Sequence, residues 1–543
     1  MTTQMVTSPT GSSLQRLAER SWERTAAGSQ LFYEDQNWTG IQLAERAQRL
    51  AGGLREAGLR PGERVVICMA NCPEVSVSYH AVWRAGAVAT PVLFLLSEPE
   101  LRHVLSDSGA VLAITTPEFL SKVTAAAVGV DGLRGIIVAP TVPEELVSGE
   151  LDAGQLDAGE LVSGELGSGE LVPGKLEFLS LADLEVAAPA GLIDSDPAAL
   201  AALLYTGGTT GRSKGVMISH DALAASAWAA TATSHDPAST TALLTLPLSH
   251  VYGLMVSVMS LHTPDPGTTV LMRWFDPVTW LRLAQEHQVN LSPLVPSMLQ
   301  MLLQQPLEDY DLSALRRLNS GAAPLPPQVA ADLERRLPHV EIAEGYGCTE
   351  TAAIIATSPL GQARRGSVGR PAPNVQVRIE RPDGTEADPG EDGEICVRGP
   401  MVMTGYWNAP AETEQTLRGG WLHTGDVGRL DDGYLYIVDR IKDLIIRGGY
   451  NVYPRDVEDV LVQHPDVVAA AVVGRPDPKY GEEVVAFVQL RAGAEVSPAD
   501  LVAFGKEHLS AVKYPREVRV IDAIPLTSVL KTDRKRLRSE LAG

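Results

Sequence analysis

Between residues 12 and 340 the chain alternates helical and strand periodicity, and that alternation restricts its fold more than any other feature. SLQRLAERSWERTA carries its apolar residues at helical spacing, and RVVICMA is a short β-branched run. VSVSYHAVWRAGA reads as helix, VATPVLF as strand, EPELRHVLSDSGA as helix and VLAITT as strand. Strands that alternate with helices in this way predict α/β layers with largely parallel sheets. Further on, VQVRIER, GEICVRG, GYLYIVD and DLIIRGG are strand patterns separated by Gly and Asp turns, which predicts a smaller β-rich subdomain. After residue 443 the pattern is mixed, with helices in PRDVEDVLVQH and PADLVAFGKEHL and strands in VVAAAVVG, EEVVAFVQL and REVRVID. The expected fold class is α/β: a large N-terminal domain of layered α/β subdomains plus a β-rich subdomain, followed by a small α+β C-terminal domain.

One segment breaks the pattern. From Leu146 to Leu176 leucine recurs every five residues, with a glycine two positions before it. So few repeats cannot bury a core without caps, and their Gly and Glu content predicts a flexible surface insertion with no chemistry.

Charge and cysteine content exclude several functions. With 45 Lys and Arg against 67 Asp and Glu, the net charge of −22 predicts no nucleic-acid partner. The basic cluster Lys531, Arg534, Lys535, Arg536 and Arg538 is too short for a polyanion groove, and its simplest reading is a solvated helix face. Cys68, Cys72, Cys348 and Cys396 form no metal knuckle by their spacing and no disulfide framework in so long a chain, which fits a reducing cytoplasm. MTTQMVTSPTGSSLQRL has no apolar core of signal-peptide length. AGAVATPVLFLL is too short to span a bilayer, and ALLTLPLSHVYGLMVSVMSL is interrupted by Pro247, Ser249 and His250; both predict core rather than membrane span.

The richest stretch is LLYTGGTTGRSKGVMISH, residues 203–220. A Gly/Thr/Ser loop between strands serves either as a hairpin turn or as an anion cradle. In a cradle, glycines let backbone N–H groups approach a phosphate, hydroxyls add donors and a lysine adds charge. Lys214 lies between Ser213 and Gly215, which is not the Walker spacing.

YTGGTTGRSKG resembles the phosphate loop of the adenylate-forming superfamily, which includes acyl-CoA synthetases, luciferases and nonribosomal adenylation domains. The usual family text is Tyr-Thr-Ser-Gly-Thr-Thr-Gly-x-Pro-Lys-Gly; this chain has Gly207 for Ser and Ser213 for Pro. The other motifs follow in family order: LPLSHVYGL (246–254), LNSGAAPL (318–325), EGYGCTET (344–351), GWLHTGDVG (420–428), YIVDRIKDLIIRGGYNVYP (436–454) and PLTSVLKTDRKRLR (525–538). The resemblance covers nearly the whole chain except its first residues and the leucine repeat.

The resemblance implies a two-step ligase. A carboxylic acid first attacks the α-phosphate of ATP and expels pyrophosphate; the acyl group then passes to a nucleophile, usually the thiol of coenzyme A. By resemblance, Thr206, Gly207, Gly208, Thr209, Thr210 and Lys214 hold the β- and γ-phosphates, Thr349 touches the α-phosphate and Glu350 is the Mg2+ ligand. Gly321, Ala322 and Ala323 line the adenine side, with Gly345, Gly347 and a stacking Tyr346. Asp426 accepts the ribose hydroxyls and Arg440 adds charge beside them. Lys531, here preceded by Leu530 rather than the family glycine, reaches both the carboxylate and the α-phosphate. His250 gates the acid pocket; Ser249 and His250 stand where amino-acid-activating relatives carry an aspartate, which implies a simple aliphatic or aryl acid.

Domain organisation follows from the same resemblance: an adenylating domain over residues 1–441, interrupted by the insertion at 146–176, and a mobile domain over 442–543 hinged at Lys442. In the second step Gly448 and Gly449 line the pantetheine tunnel. The expected ligands are ATP, Mg2+, coenzyme A and a small carboxylic acid, in a cytoplasmic monomer or homodimer. Two alternatives remain at this point: an adenylating enzyme whose acceptor is a carrier-protein thiol, an amine or another small nucleophile, and a catalytically silent nucleotide-binding relative.

Overall fold

Short apolar runs bounded by turn residues become strands buried on both faces, as strands in parallel sheets flanked by helices are. The computed structural model describes residues 11–140, 176–206, 212–491, 493–526 and 532–542. The leucine repeat lies outside the described residues apart from Leu176. Among the described residues the strands form two large sheets and two small ones.

The first large sheet has eight strands. Leu200–Thr206, Val88–Pro91, Arg64–Cys68, Ala110–Thr115, Gly135–Val138 and Glu177–Ser180 run parallel, with Lys214–Ser219 and Gly405–Tyr406 added antiparallel at one edge. The second has nine. Its parallel body runs Glu341–Tyr346, Arg317–Ser320, Leu291–Leu294, Thr241–Leu244, Thr268–Leu271 and Gln30–Tyr33, with short antiparallel strands at both edges. Helices pack between and outside the sheets. Trp83 and Trp280 are buried in these layers, and each indole N–H finds an acceptor, Ala201 O at 2.9 Å and Ser292 Oγ at 3.2 Å. The parallel α/β expectation holds.

The sheets meet at their carboxyl ends through one amide. Asn71, 3% exposed just after Arg64–Cys68, donates to Leu246 O at 2.9 Å and Met272 O at 3.1 Å and accepts from Leu248 N at 2.8 Å. Leu246, Leu248 and Met272 all follow strands of the other sheet. Tyr79 adds its hydroxyl to Leu248 O at 2.9 Å.

The β-rich sheet is Gln376–Glu380, Gly393–Arg398, Leu422–Asp431 and Tyr434–Arg440, all antiparallel. DLIIRGG, expected in this subdomain, belongs elsewhere. A 3-10 turn at Ile441–Asp443 redirects the chain, and Ile445–Arg447 pairs with Tyr450–Val452 and Gly481–Leu490 in the C-terminal sheet. The reason is burial: Ile445 packs with Val452, Val457 and Val484 in that sheet's own core. Leu422–Asp431, not read as one of its strands from the sequence pattern, fills the place in the sheet.

The C-terminal helix Arg534–Ala542 also corrects the sequence expectation. Its basic residues do not form only a solvated face. Leu537 is fully buried against Val473 and Phe487, Arg534 pairs with Glu458 at 2.6 Å and Arg538 with Asp443 at 2.9 Å. Lys535 and Arg536 are exposed as expected. Among the described residues no helix is long and apolar enough to cross a membrane.

The Asn71 stitch generates a stability prediction. Asn71→Ala strands one buried N–H and two carbonyls, each worth about 1–3 kcal/mol unpaired. The variant is expected to unfold at a clearly lower urea concentration by tryptophan fluorescence; an unchanged midpoint would show the stitch to be dispensable.

Candidate active site

Parallel strands release their connecting loops at their carboxyl ends, and ligands of open α/β sheets bind in the crevice there. In this chain the crevice is a cleft of about 2870 Å³. It is lined by the ends of Leu200–Thr206, Arg317–Ser320 and Glu341–Tyr346, by the β-rich sheet, and by residues of the C-terminal region.

The strands before and after the Gly/Thr motif pair antiparallel, with Thr206 opposite Lys214. Both residues line the cleft. Gly207, Gly208, Thr209 and Thr210 lie outside the described residues. The hairpin is braced from behind: His103 Nε2 meets Ser213 O at 2.8 Å, and Trp407 N donates to Gly215 O at 2.7 Å. The His103 contact holds the backbone at the position where the resembling family has proline. Lys214 Nζ sits 3.4 Å from Glu412 and 5.5 Å from the Tyr406 ring centroid. That ion pair is more than a third exposed on both sides, and such a pair is worth roughly 0–1 kcal/mol. A polyphosphate can therefore displace it.

The adjoining wall is built by loops with no room for side chains. A Cβ on Gly321 would stand 2.9 Å from the Tyr252 ring, and one on Gly347 would stand 1.7 Å from Ala353 O. Ala322, Ala352 and Ala353 hold positive φ of 67°, 47° and 98°, a concentration of non-glycine strain in one place. Ala323 and Gly345 line the same wall.

One antiparallel pairing and one 3-10 turn supply the charged groups. Asp426 opposes Arg440 across Leu422–Asp431 and Tyr434–Arg440. The carboxylate accepts from Arg440 Nε at 3.0 Å through Oδ1 and from Tyr346 OH at 2.7 Å through Oδ2. The Asp426 charge raises the Arg440 pKa, and burial together with Asp426 drives the Tyr346 phenol well up. A carboxylate offers about four lone-pair sites, so Asp426 keeps acceptor capacity for two hydroxyls. Glu350 lies in a 3-10 turn, Thr349–Thr351, and its Oε1 accepts from Tyr406 OH at 2.8 Å. No Lys or Arg pairs with it among the described residues. Thr349 stands beside it on the cleft wall.

His250 caps the helix Val251–Met259, its Nδ1 accepting from Tyr252 N at 3.3 Å, and the residue borders the cleft. Lys442 lies exposed at the rim in the turn Ile441–Asp443. Gly448 and Gly449 are not brought to the cleft. They form the exposed two-residue turn between Arg447 and Tyr450, both at positive φ, 59° and 83°, as a tight hairpin turn requires. Lys531 lies outside the described residues; its flanking residues Leu526 and Thr532 pair with each other and line the cleft.

The structure adds residues that sequence reasoning gave no role. Tyr406 holds Glu350 from 56 positions away. Arg455 crosses from the C-terminal region, its backbone N–H donating to Asp439 Oδ2 and its guanidinium to Ile437 O, both at 3.0 Å. Burial raises Asp439 to about 6 despite its bonds from Arg455 and Arg440. Glu344 is a cleft carboxyl that burial raises to about 7, with Arg455 pulling the other way. The signal for Glu344 was present: an acidic residue inside a run that must be a buried strand.

Two family models match, "AMP-binding enzyme" over residues 14–407 and "AMP-binding enzyme C-terminal domain" over 456–531. The chain belongs to the AMP-binding enzyme family and is an adenylate-forming ligase that uses ATP and a carboxylic acid. It is 37% identical to the feruloyl-CoA synthase of an Amycolatopsis species across 92% of this chain and 93% of that one. It is 34% identical to the long-chain-fatty-acid–CoA ligase of Bacillus subtilis across 91% and 88%. Among solved structures it resembles the amide bond synthetase McbA of Marinactinospora thermotolerans, with TM-score 0.82, 30% identity, and coverage of 97% of this chain and 99% of that one. It also resembles ATP-bound MatB of Rhodopseudomonas palustris, with TM-score 0.83, 29% identity, and coverage of 97% and 98%.

Glu344 makes stability depend on pH. Its proton is bound more tightly in the folded chain, at about 7 against 4.5, so the folded state loses stability as pH rises between those values. Glu344→Gln keeps the shape without the charge. It is expected to raise the melting temperature above pH 7 and leave it unchanged below pH 4.5; an equal shift at both would refute a protonation origin.

Proposed function

We propose that this ligase joins an aliphatic or aryl carboxylic acid to AMP and then passes the acyl group to the thiol of coenzyme A. The observation that carries this reading is the convergence on one cleft wall of the Thr206–Lys214 hairpin, Glu350 and the Tyr346–Asp426–Arg440 set. Two relatives support coenzyme A as the acceptor: matched over about nine-tenths of this chain, they are named as a coenzyme A synthase and a coenzyme A ligase.

Each group has a job in the first step. ATP brings a crowded polyphosphate, so catalysis rests on placing positive charge and N–H donors where negative charge builds. Lys214 leaves Glu412 and, with Thr206 and the loop Gly207–Thr210, holds the β- and γ-phosphates. Asp426 accepts the ribose hydroxyls while Tyr346 and Arg440 fix its orientation. Gly321, Ala322, Ala323, Gly345 and Gly347 let the backbone close on the adenine, and Tyr346 packs beside it. Glu350, held by the Tyr406 phenol and paired with no Lys or Arg among the described residues, fits a hard divalent cation. Glu350 would hold Mg2+, which would supply positive charge to the phosphates, and Thr349 would touch the α-phosphate. Lys531 contacts the attacking carboxylate and the α-phosphate. His250, as helix cap, positions the wall of Tyr252, Met255 and Val256 against which the acid lies.

The second step places a different surface at the same cleft. Residues 442–543 turn about Lys442, and the hairpin tip at Gly448 and Gly449 moves from its exposed position to the acceptor channel, where a thin pantetheine arm passes a turn without side chains. The contacts of Arg455 with Asp439 and Ile437 are the ones that this rotation breaks.

Pyrophosphate release should be measured across a panel of aliphatic and aryl acids, with and without coenzyme A. The expected result is release with at least one acid and a thioester with coenzyme A present. The likeness to McbA supports a second reading, an amine acceptor, which predicts release and amide but no thioester. No release with any acid supports a silent nucleotide-binding protein. Lys531→Ala is expected to slow pyrophosphate release about 100- to 1000-fold, as loss of one transition-state donor does. It should spare thioester formation from supplied acyl-adenylate; equal loss of both steps would overturn its role.

A further inference from the structure

Four metal-ligating side chains outside the proposed nucleotide site converge on one face of the β-rich sheet. Glu380, Glu394, Cys396 and His423 each offer a ligand atom within 4.8 Å of the others. Strand register brings them together. Glu380 is paired directly with Glu394, and Cys396 directly with His423. Glu394 and Cys396 are two apart on their strand, so the pleat puts both on one face. The contacts are short: Cys396 Sγ lies 3.4 Å and Glu394 Oε2 2.9 Å from the same atom, His423 Nδ1. In a tetrahedral zinc site, metal–ligand lengths of about 2.0–2.3 Å put neighbouring ligand atoms roughly 3.3–3.6 Å apart. The Cys396–His423 spacing falls in that range, and the shorter Glu394–His423 contact would lengthen by about 0.4 Å or more on binding.

Three further features favour an ion. Two carboxylates directly opposite each other across a ladder repel unless a cation lies between or beside them. The cluster is sheltered, with Cys396 and His423 buried and both glutamates partly so. It is also reachable: a cavity of about 410 Å³ opens onto Glu394 and His423. Glu394 is oriented from behind by Gly425 N, which donates to Oε1 at 3.1 Å, leaving Oε2 toward the imidazole. Such an outer contact is how metal ligands are held in place. Two arginines compete for the carboxylates: Arg418 reaches Glu394 Oε2 at 3.0 Å, and Arg378 pairs with Glu380. Arg418 is half exposed and can swing into solvent.

We propose that Glu380, Glu394, Cys396 and His423 form a binding site for a borderline-soft divalent cation of the Zn2+ class, separate from the Mg2+ position at Glu350. Binding displaces the thiol proton of Cys396 to solvent and forms a metal–sulfur bond; Arg418 leaves Glu394. The ion would tie Gln376–Glu380, Gly393–Arg398 and Leu422–Asp431 together three residues before Asp426, and so stiffen the strand that carries that carboxylate.

Co2+ is the probe, because its thiolate bond gives a near-ultraviolet charge-transfer band and a tetrahedral site gives strong visible bands. The reduced full-length protein is titrated with Co2+ and then with Zn2+. The expected result is one Co2+ per chain with a charge-transfer band that Zn2+ abolishes. Cys396→Ser should remove the band and His423→Gln should weaken binding about 100-fold or more, while Cys348→Ala, which alters the other cleft thiol, retains it. Arg418→Met removes the competing cation, leaves every ligand in place, and should tighten binding about tenfold, the size of an outer-shell effect. No band in the wild-type protein, a band that survives Cys396→Ser, or binding that Arg418→Met leaves unchanged or weakens overturns the proposal.

Discussion

The hydrogen bonds of one buried side chain, Asn71, hold the carboxyl ends of the two large sheets against each other. Everything the chain offers to a ligand depends on that meeting. Parallel strands deliver Thr206, Ser320 and Tyr346 to one edge of each sheet, and a cleft exists only because the two edges face a common space. An amide can do this where a hydrophobic contact cannot, since it is directional and satisfies backbone groups that loops leaving a strand would otherwise strand.

Within the cleft, acidic groups are placed with fewer donors than they can use. Asp426 takes one donor on each oxygen, and Glu350 takes the Tyr406 phenol with no Lys or Arg paired to it among the described residues. Asp439 and Glu344 are pushed toward neutral pH by burial, and both look toward Arg455. Positive charge reaches them from the C-terminal region: Arg455 acts on Glu344, and Arg534 acts on Asp439. The contact between the two regions is therefore electrostatic and partly exposed, a kind of interface that costs little to break and re-form. The proposed two-step reaction needs that property.

Most strands and helices were legible, because helix periodicity and short β-branched runs survive burial in parallel sheets: EPELRHVLSDSGA is the helix Glu98–Ser108, and VLAITT is Ala110–Thr115. DLIIRGG was legible as a strand but not as a member of its sheet, since a strand pattern carries no partner. Arg534 and Arg538 read as solvated because their acceptors, Glu458 and Asp443, lie 76 and 95 positions away. In the site, the Thr206–Lys214 turn, Glu350, Tyr346 and Asp426 were legible through motif resemblance. Tyr406 was not, as a tyrosine in a two-residue edge strand gives no sign of the carboxylate it will hold.

The chain by itself determined the α/β class, the ordered motifs of the AMP-binding enzyme family and the motif residues Lys214, Glu350, Asp426 and Arg440. These are local properties: periodicity, turn chemistry and short motifs are written in consecutive residues. Only the tertiary structure decided what meets what. Cys396 and His423 are 27 positions apart and look unrelated by spacing, yet strand register sets them side by side. Ladder pairing and loop direction arise from the packing of the whole, and no run of neighbouring residues encodes them.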